Sequence, residues 1–480
     1  MSTLSHRALD VLDRAPLTRR YWNLAALVGV TSAVEFFDFY VIGFIGSVIG
    51  EEWGLNFGQV AMIYFAAGVG AIAGSFVGGW SGHRYGRKYP FIAGVAITGF
   101  FSGATAFAPE GAVVFVMLTR FMVGAGSAMM LTLCLTLMVE FTPSRHRTYL
   151  VPLTTTGLIP VGTMAASALS AALLPSWGWR GLAALGFAAL ILVVWALFAM
   201  PESPRWLVAR GEYEKARTVV SKFTGQPVHS IQLDEAPDVS LGPQARTPAE
   251  SGYRALFRDR RNVTFTILAW LCAATTIYGV NLWGPTFLRY ALDISPAKAA
   301  EFFIYISLGA LVGRVLFSVL PQWIGRRATG ILTGVGGGVL LIIAGFAGGS
   351  AQGGAIALVL ALAVAAMFAD GGFANLAPAS AEIYPTHLRS QAMGLGEVAN
   401  GIGKLIGPVG LALIAGTGNM VKPEATRDAL TPGFVFLGIF SLLCAVGFLF
   451  LRETRGKLED VVSSGQANET ADDAESVQVR

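Results

Sequence analysis

The sequence predicts an all-α membrane protein of twelve transmembrane helices, arranged as two pseudo-symmetric six-helix bundles. Three observations carry that expectation. Of 480 residues, 54% are apolar and only 13% are charged, where a soluble domain carries roughly one quarter charged residues. The apolar residues fall into long blocks, each near the roughly 20 residues that a bilayer core demands. Short loops with the same charged residues then recur, in the same order, in both halves of the chain. A closed barrel would show alternating segments instead.

In chain order, the first six blocks run from about Trp22 to Gly50, Gln59 to Trp80, Pro90 to Ala108, Gly111 to Met138, Tyr149 to Leu174 and Gly181 to Met200. The second six run from about Asn262 to Trp283, Ala299 to Leu320, Ala328 to Gly348, Gly354 to Leu376, Gln391 to Gly416 and Pro432 to Leu451. Residues 1–207 form the first half and 259–460 the second. Between them lies a polar, Pro-rich linker, 208–258, with one short amphipathic helix near Gly211-Glu-Tyr-Glu-Lys-Ala. The tail, 461–480, is polar and aperiodic, a composition that buries too little surface to fold. The first block is preceded by a short charged segment and ends in no cleavage site, so it is expected to stay as an anchor.

With both termini on one side, 26 of the 34 Lys and Arg residues fall on that side, 5 on the other and 3 within helices. The positive-inside rule makes the 26-residue side cytoplasmic and accounts for the net charge of +4 without nucleic acid. Glycine is frequent at 58 residues, which in lipid lets helix backbones approach closely. Gly70, Gly74 and Gly78 repeat every four residues along the second helix as such a stripe. Cys134, Cys272 and Cys444 lie in apolar blocks without pairing or metal spacing.

The repeat is visible in the loops. Glu140-Phe-Thr-Pro-Ser-Arg-His-Arg147 follows the fourth helix and Glu382-Ile-Tyr-Pro-Thr-His-Leu-Arg389 the tenth, an offset of 242 residues. Gly86-Arg-Lys88 and Gly325-Arg-Arg327 differ by 239, and Pro201-Glu-Ser203 and Arg452-Glu-Thr454 by 251. One duplication with small insertions explains all three, and internal repeats are how many secondary transporters are built.

These segments resemble the major facilitator superfamily over nearly the whole chain, apart from the linker centre and the tail. The loop Gly79-Trp-Ser-Gly-His-Arg-Tyr-Gly-Arg-Lys88 is similar to that superfamily's signature between helices two and three, with His83 where the signature carries an aspartate. The resemblance implies a cytoplasmic gate in which charges brace one half against the other, at Arg84, Gly86, Arg87, Lys88, Glu140, Arg147, Glu382 and Arg389. His83 reads either as a tolerated polar loop residue or as a pH-sensitive replacement. Arg120-Phe-Met-Val-Gly-Ala-Gly126, Trp177-Gly-Trp-Arg180, Pro201-Glu-Ser-Pro-Arg-Trp-Leu207 and Glu453-Thr-Arg-Gly456 resemble the branch holding sugar porters and organic-acid or aromatic-acid proton symporters. Within it, Glu35-Phe-Phe-Asp38 resembles the acid and metabolite symporters more than the sugar porters.

Ionisable groups at bilayer depth cost several kcal/mol unless paired or wetted, so each is a functional candidate. Seven are present: Glu35, Asp38, Arg120, Arg314, Asp370, Glu397 and Lys404. Asp38, with Glu35 three residues away on the same face, is expected to bind a coupling proton while Arg120 modulates it. Burial favours the protonated carboxyl and a nearby cation the charged one, so a moving Arg120 switches between holding and releasing. The alternative is a structural ion pair joining helices one and four. Glu397, Asn400 and Lys404 share one face of helix eleven. Lys404 is a candidate for receiving an anionic substrate group, or else a partner of Asp370; Glu397 is placed to pair with Arg314. Tyr278, Asn281 and Asn375 are candidates to complete the pocket, although Trp283 and Tyr290 near the outer interface read equally as membrane anchors.

The expected function is proton-coupled symport of a small organic acid, aromatic acids included, in a bacterial inner membrane, by a monomer with cytoplasmic termini. A sugar or polyol symporter is the runner-up, and Lys404 discriminates, since a neutral substrate has no need of a buried cation. An enzyme or receptor is less well supported. No HExxH, GxSxG, Walker or CxxC motif occurs, and His6, His83, His146, His229 and His387 lack ligand spacing, so neither metal nor cofactor is expected.

Overall fold

A computed structural model describes residues 11–231, 256–349, 355–384 and 388–452. Among the described residues the regular elements are helices. The first half comprises α1 (Arg19–Glu52), α2 (Phe57–Tyr85), α3 (Lys88–Ala104), α4 (Val113–Phe141), α5 (Ser144–Thr155), α6 (Ile159–Ala184) and α7 (Leu190–Ala199). Two short helices, α8 (Pro204–Ala209) and α9 (Tyr213–Thr224), follow on the linker side. The second half comprises α10 (Arg260–Leu292), α11 (Pro296–Val319), α12 (Pro321–Ile324), α13 (Arg326–Gly349), α14 (Ala355–Ile383), α15 (Arg389–Ala415) and α16 (Pro423–Leu449).

Among the described residues, 11 stretches are long and apolar enough to cross a membrane. One of them, Tyr149–Ala199, is 51 residues long. It leaves helical geometry at Gly178 (φ 61°, ψ −173°) and carries Pro175 just before. A straight helix of that length would reach about 76 Å at about 1.5 Å per residue, more than twice the roughly 30 Å of a bilayer core. The expected fifth and sixth blocks lie on either side of the break.

Local chemistry sets most helix ends. Asn56 and Gln59 form a reciprocal capping box at the start of α2, and Ser295 accepts from the backbone of Lys298 ahead of Pro296, each satisfying amide donors that the first turn leaves unpaired. Two boundaries differ from the sequence expectation. The seventh helix runs on through Pro285 to Leu292, and the twelfth begins at Pro423, nine residues before Pro432. A proline inside a buried bundle helix is tolerated where neighbouring helices re-satisfy the freed carbonyl. Termination falls instead at Asp293, in the left-handed region (φ 53°), and initiation at Pro423, whose fixed φ suits a first helical turn. The expected linker helix is α9, closed by Gly225 (φ 75°); the linker's Pro-rich centre, the tail and Glu453-Thr-Arg-Gly456 lie outside the described residues.

The duplication reappears as packing. A Cβ on Gly70 or Gly74 of α2 would lie 2.0 Å from the carbonyl oxygen of Phe121 or Ala125 on α4. In the second half a Cβ on Gly309 or Gly313 of α11 would lie 2.2 Å or 1.9 Å from the carbonyls of Ala363 or Met367 on α14. The glycines are 239 residues apart and their contacts 242, the same offsets that relate the loops. Close backbone approach of this kind is how helices associate where lipid removes the hydrophobic drive. Gly74→Val and Gly313→Val should therefore each lower thermal stability, by at least the roughly 1–3 kcal/mol of overpacking. Size-exclusion thermostability assays would check this, and a neutral result at both sites would count against the shared contact.

We term the end of the bundle that carries the loops Tyr85–Lys88, Phe141–Arg147 and Gly325–Arg327 the basic end. At the opposite end the two halves meet. An apolar core including Phe44, Phe57, Trp283 and Phe303 crosses between them. The loop before α2 pairs with the loop before α16 through Phe57 N to Asn419 O (2.9 Å), Gly58 N to Thr417 O (3.1 Å) and Val421 N to Leu55 O (2.9 Å). Asn56 and Met420 face each other in an antiparallel bridge. Arg289 of α10 reaches α1, donating to the Ser47 carbonyl and pairing with Glu51.

Candidate functional site

At the basic end each half carries one arginine–glutamate brace. Gly86 and Gly325 turn the chain with φ of 89° and 87°, a region that favours glycine, and deliver the next residue toward a carboxylate. Arg87 Nη2 stands 3.6 Å from Glu140 Oε1, while Arg326 grips Glu382 with Nε at 2.7 Å and Nη2 at 2.5 Å. Glu140 also accepts from the Ser203 hydroxyl. Glu202 accepts from the backbone amides of Arg87 (2.6 Å) and Lys88 (3.4 Å), a carboxylate at the start of α3 where the helix dipole favours it. Lys88 Nζ donates to the Leu197 carbonyl at 2.8 Å. Arg147 pairs with Asp13 and donates to the Thr142 carbonyl. Arg84 is exposed and stacks on Tyr85. With the halves closed at the opposite end, each brace joins helices within its own half. Arg326, the partner of Glu382, was not among the expected gate residues, although its place in the repeat marked it. The side chain of Arg389 lies outside the described residues.

In the membrane interior, α1 carries the polar line Thr31, Ser32, Glu35 and Asp38, all buried. Asp38 accepts from the Ser102 hydroxyl of α3 and stands 3.9 Å from Arg120 Nη1 of α4. Arg120 Nη2 donates to Thr105 Oγ1 at 2.9 Å, which in turn contacts Thr119. The structure thus unites Asp38 and Arg120, and adds Ser102 and Thr105, which sequence reasoning missed. Their spacing of three at the end of a mostly apolar block was the available signal. Among the described residues, Glu35 Oε2 has no hydrogen-bond partner, and neither do the Thr31 and Ser32 hydroxyls or Asn400 Oδ1. Buried polar atoms without a protein partner are where a water or a ligand atom is expected.

Across the interface, Lys404 of α15 places Nζ 4.9 Å from the Tyr278 ring and 5.6 Å from the Phe39 ring, distances at which a cation is attracted to an aromatic face. Phe39, Tyr40 and Tyr278 pack against one another at 5.2–6.0 Å. Glu35 interacts electrostatically with Lys404, so the acidic line of the first half faces the cation of the second.

Two expected pairings are corrected. Arg314 Nη2 bonds Asp370 Oδ1 at 3.1 Å, not Glu397, and that engagement takes Asp370 away from Lys404. Glu397 is exposed and accepts from Asn400 Nδ2 at 3.0 Å. A third correction concerns Asn375, expected in the pocket: it accepts from Arg326 Nη1 (3.1 Å) and donates to the Arg326 carbonyl (2.9 Å), so it orients the second brace. Asn281 donates to the Ile277 carbonyl of its own helix. It lines, with Thr163, Ser307 and Asp370, a cavity of about 20 Å³. That is room for about one water, so this cavity as it stands does not hold a substrate.

The family described as "Sugar (and other) transporter" matches residues 24–461. The chain belongs to the major facilitator superfamily. Similar relatives include the 4-hydroxybenzoate transporter PcaK of Acinetobacter baylyi, 28% identical and covering 85% of this chain and 88% of the relative. The gallate transporter of Pseudomonas putida is 28% identical over 84% of this chain and 88% of its own length. Among solved structures, a D-xylose–proton symporter superposes with a TM-score of 0.70 at 18% identity, over 91% of this chain and 99% of the other. The inward-open xylose transporter XylE of E. coli gives 0.69 at 19%, over 91% and 97%. At those identities the likeness is one of fold. As a superfamily member, this multi-pass membrane protein is a secondary transporter working by alternating access, not an enzyme.

Proposed function

We propose that the chain is a proton-coupled symporter for a small organic acid, aromatic acids included. It works as a monomer of twelve transmembrane helices in two bundles, residues 1–207 and 259–460, with the linker, both termini and the basic end in the cytoplasm of a bacterial cell. The observation that carries this reading is Lys404. It is a cation set over two aromatic rings, and it makes no ion pair with a described carboxylate. An aromatic carboxylate satisfies both features, by charge-assisted bonding to the ammonium and by stacking on Tyr278 and Phe39. A neutral sugar offers the ammonium no charge-assisted bond. The names of the relatives, which transport 4-hydroxybenzoate, gallate and cis,cis-muconate, support an acid. Asp38, with Glu35 as its helper, binds the coupling proton and Arg120 modulates its charge; Asn400, Asn281 and Asp370 line the substrate path; Arg84, Gly86, Arg87, Lys88, Glu140, Arg147, Glu382 and Arg389 form the cytoplasmic gate. Uptake of 4-hydroxybenzoate, gallate and xylose into proteoliposomes under an imposed proton gradient tests the reading, and accumulation of xylose without either acid would overturn it.

With the basic end inside, the closure formed by Asn56, Met420, Arg289 and Glu51 lies on the outer face. Alternating access requires that closure to open in every cycle. Directly opposed residues of an antiparallel pair have Cα atoms about 4.5–5.5 Å apart, within disulfide reach, and the three native cysteines are buried. The double variant Asn56→Cys/Met420→Cys should transport normally when reduced and stop when oxidised. Full cross-linking with undiminished uptake would show that this end does not open.

A further inference from the structure

Below the end of α2, a groove of about 420 Å³ opens at the basic end, lined by Trp80, His83, Arg84, Arg87, Arg205, Trp206, Ala209 and Arg210. Four of its eight residues are arginines and none is acidic. Its walls are held in place by backbone and ring contacts. Trp206 Nε1 donates to the His83 carbonyl at 2.9 Å, and Arg210 lies 4.7 Å over the Trp206 ring while Nη2 donates to the Arg84 carbonyl at 2.5 Å. These contacts consume little of the donor capacity. The side chains of Arg84 and Arg205 make no hydrogen bond or ion pair among the described residues; Glu140 pairs with Arg87 and also interacts electrostatically with Arg205, while Glu202 accepts at the start of α3. A guanidinium carries five donors in a fixed fork that suits phosphate oxygens, and several converging on one groove make a site for a phosphate.

The surroundings of the groove select among phosphates. Trp80, on its rim, is 60% exposed, and Phe76, one turn further into the membrane on the same face of α2, is 75% exposed. They extend the groove as an apolar track down the outside of the bundle. A soluble phosphate has no use for such a track, whereas a phospholipid has an acyl chain to lay on it. A choline or ethanolamine headgroup would bring a cation among the arginines; a glycerol headgroup brings none.

We propose that this groove binds the phosphate headgroup of an anionic phospholipid, with its acyl chain along Trp80 and Phe76, and so fastens the α2–α3 loop and α8 to the membrane surface. The groove lies apart from Lys404 and Asp38, so the inference stands independently of which substrate is carried.

The test uses the full-length protein purified in detergent, with retention of phosphatidylglycerol and phosphatidylcholine measured by native mass spectrometry. The expected result is selective retention of phosphatidylglycerol. The double variant Arg205→Gln/Arg210→Gln should weaken it roughly 25-fold, about fivefold for each basic residue lost near a membrane surface. If that variant does not elute as a folded monomer, Trp80→Ser is read instead and should weaken phosphatidylglycerol retention. Equal retention of the two lipids, or undiminished retention in a folded variant, would overturn the proposal. Displacement of the lipid by excess glycerol 3-phosphate would also overturn it, reassigning the groove to a soluble anion.

Discussion

Asp38→Asn is expected to abolish accumulation driven by a proton gradient while leaving exchange of substrate across the membrane. Asparagine keeps the shape of the side chain and an oxygen to accept from Ser102, but it has no proton to bind and release. Each pH unit of gradient is worth about 1.4 kcal/mol, or a tenfold concentration ratio for one coupled proton. A two-unit gradient should therefore drive roughly 100-fold accumulation in the wild-type protein and about none in the variant, while counterflow persists in both. The competing role of the same residues is a fixed ion pair between α1 and α4. Removing one partner of a buried pair typically costs about 3–5 kcal/mol, so that role predicts loss of folded protein. The Asp38–Arg120 geometry already leans away from a purely structural pair. The closest oxygen–nitrogen distance is 3.9 Å, and Arg120 bonds Thr105 more closely than it does Asp38. Concentrative uptake that survived Asp38→Asn would remove it from the proton path.

Lys404→Gln should weaken binding of aromatic acids by roughly 10- to 150-fold, the range of about 1.5–3 kcal/mol for a hydrogen bond to a charged group. Folded protein should be retained, because Lys404 spans from α15 to rings on α1 and α10 without an ion pair among the described residues. Neutral analogues, such as the corresponding amides, should bind the variant no worse than the wild type. That contrast separates a substrate contact from a packing role, in which acid and amide would suffer together. Isothermal binding measurements in detergent suffice, and equal affinity for the acid in both proteins would dismiss the assignment.

Much of this was legible along the chain. The offset of 239 residues between Gly86 and Gly325 marked them as equivalent positions, and both turn an arginine toward a glutamate, since a duplicated loop keeps its local geometry. The Gly70, Gly74 and Gly78 stripe foretold close contact along α2, because a small residue every fourth position lies on one helix face. The interior charges were found for the same reason, as each is conspicuous in an apolar block. What the linear pattern misjudged were partners. Arg314 was assigned to Glu397 from depth alone, and the structure gives it Asp370, because α11 packs its glycine face on α14 and so turns Arg314 toward it. Asn375 looked like a pocket amide and proved to be the orienting partner of Arg326. Pro285 and Pro432 looked like helix ends and lie inside helices.

The sequence by itself determined that this is a helical membrane protein made of a repeat, with a basic end and charges buried in its interior. Hydropathy, glycine spacing and loop motifs are local properties that solvent and backbone sterics read one segment at a time. Only the tertiary structure decided which interior charge meets which, that Lys404 rests on Phe39 and Tyr278, and that the halves close at the end opposite the basic loops. Those outcomes depend on how each helix is rotated about its axis and how closely it approaches its neighbour, which residues distant in sequence settle together.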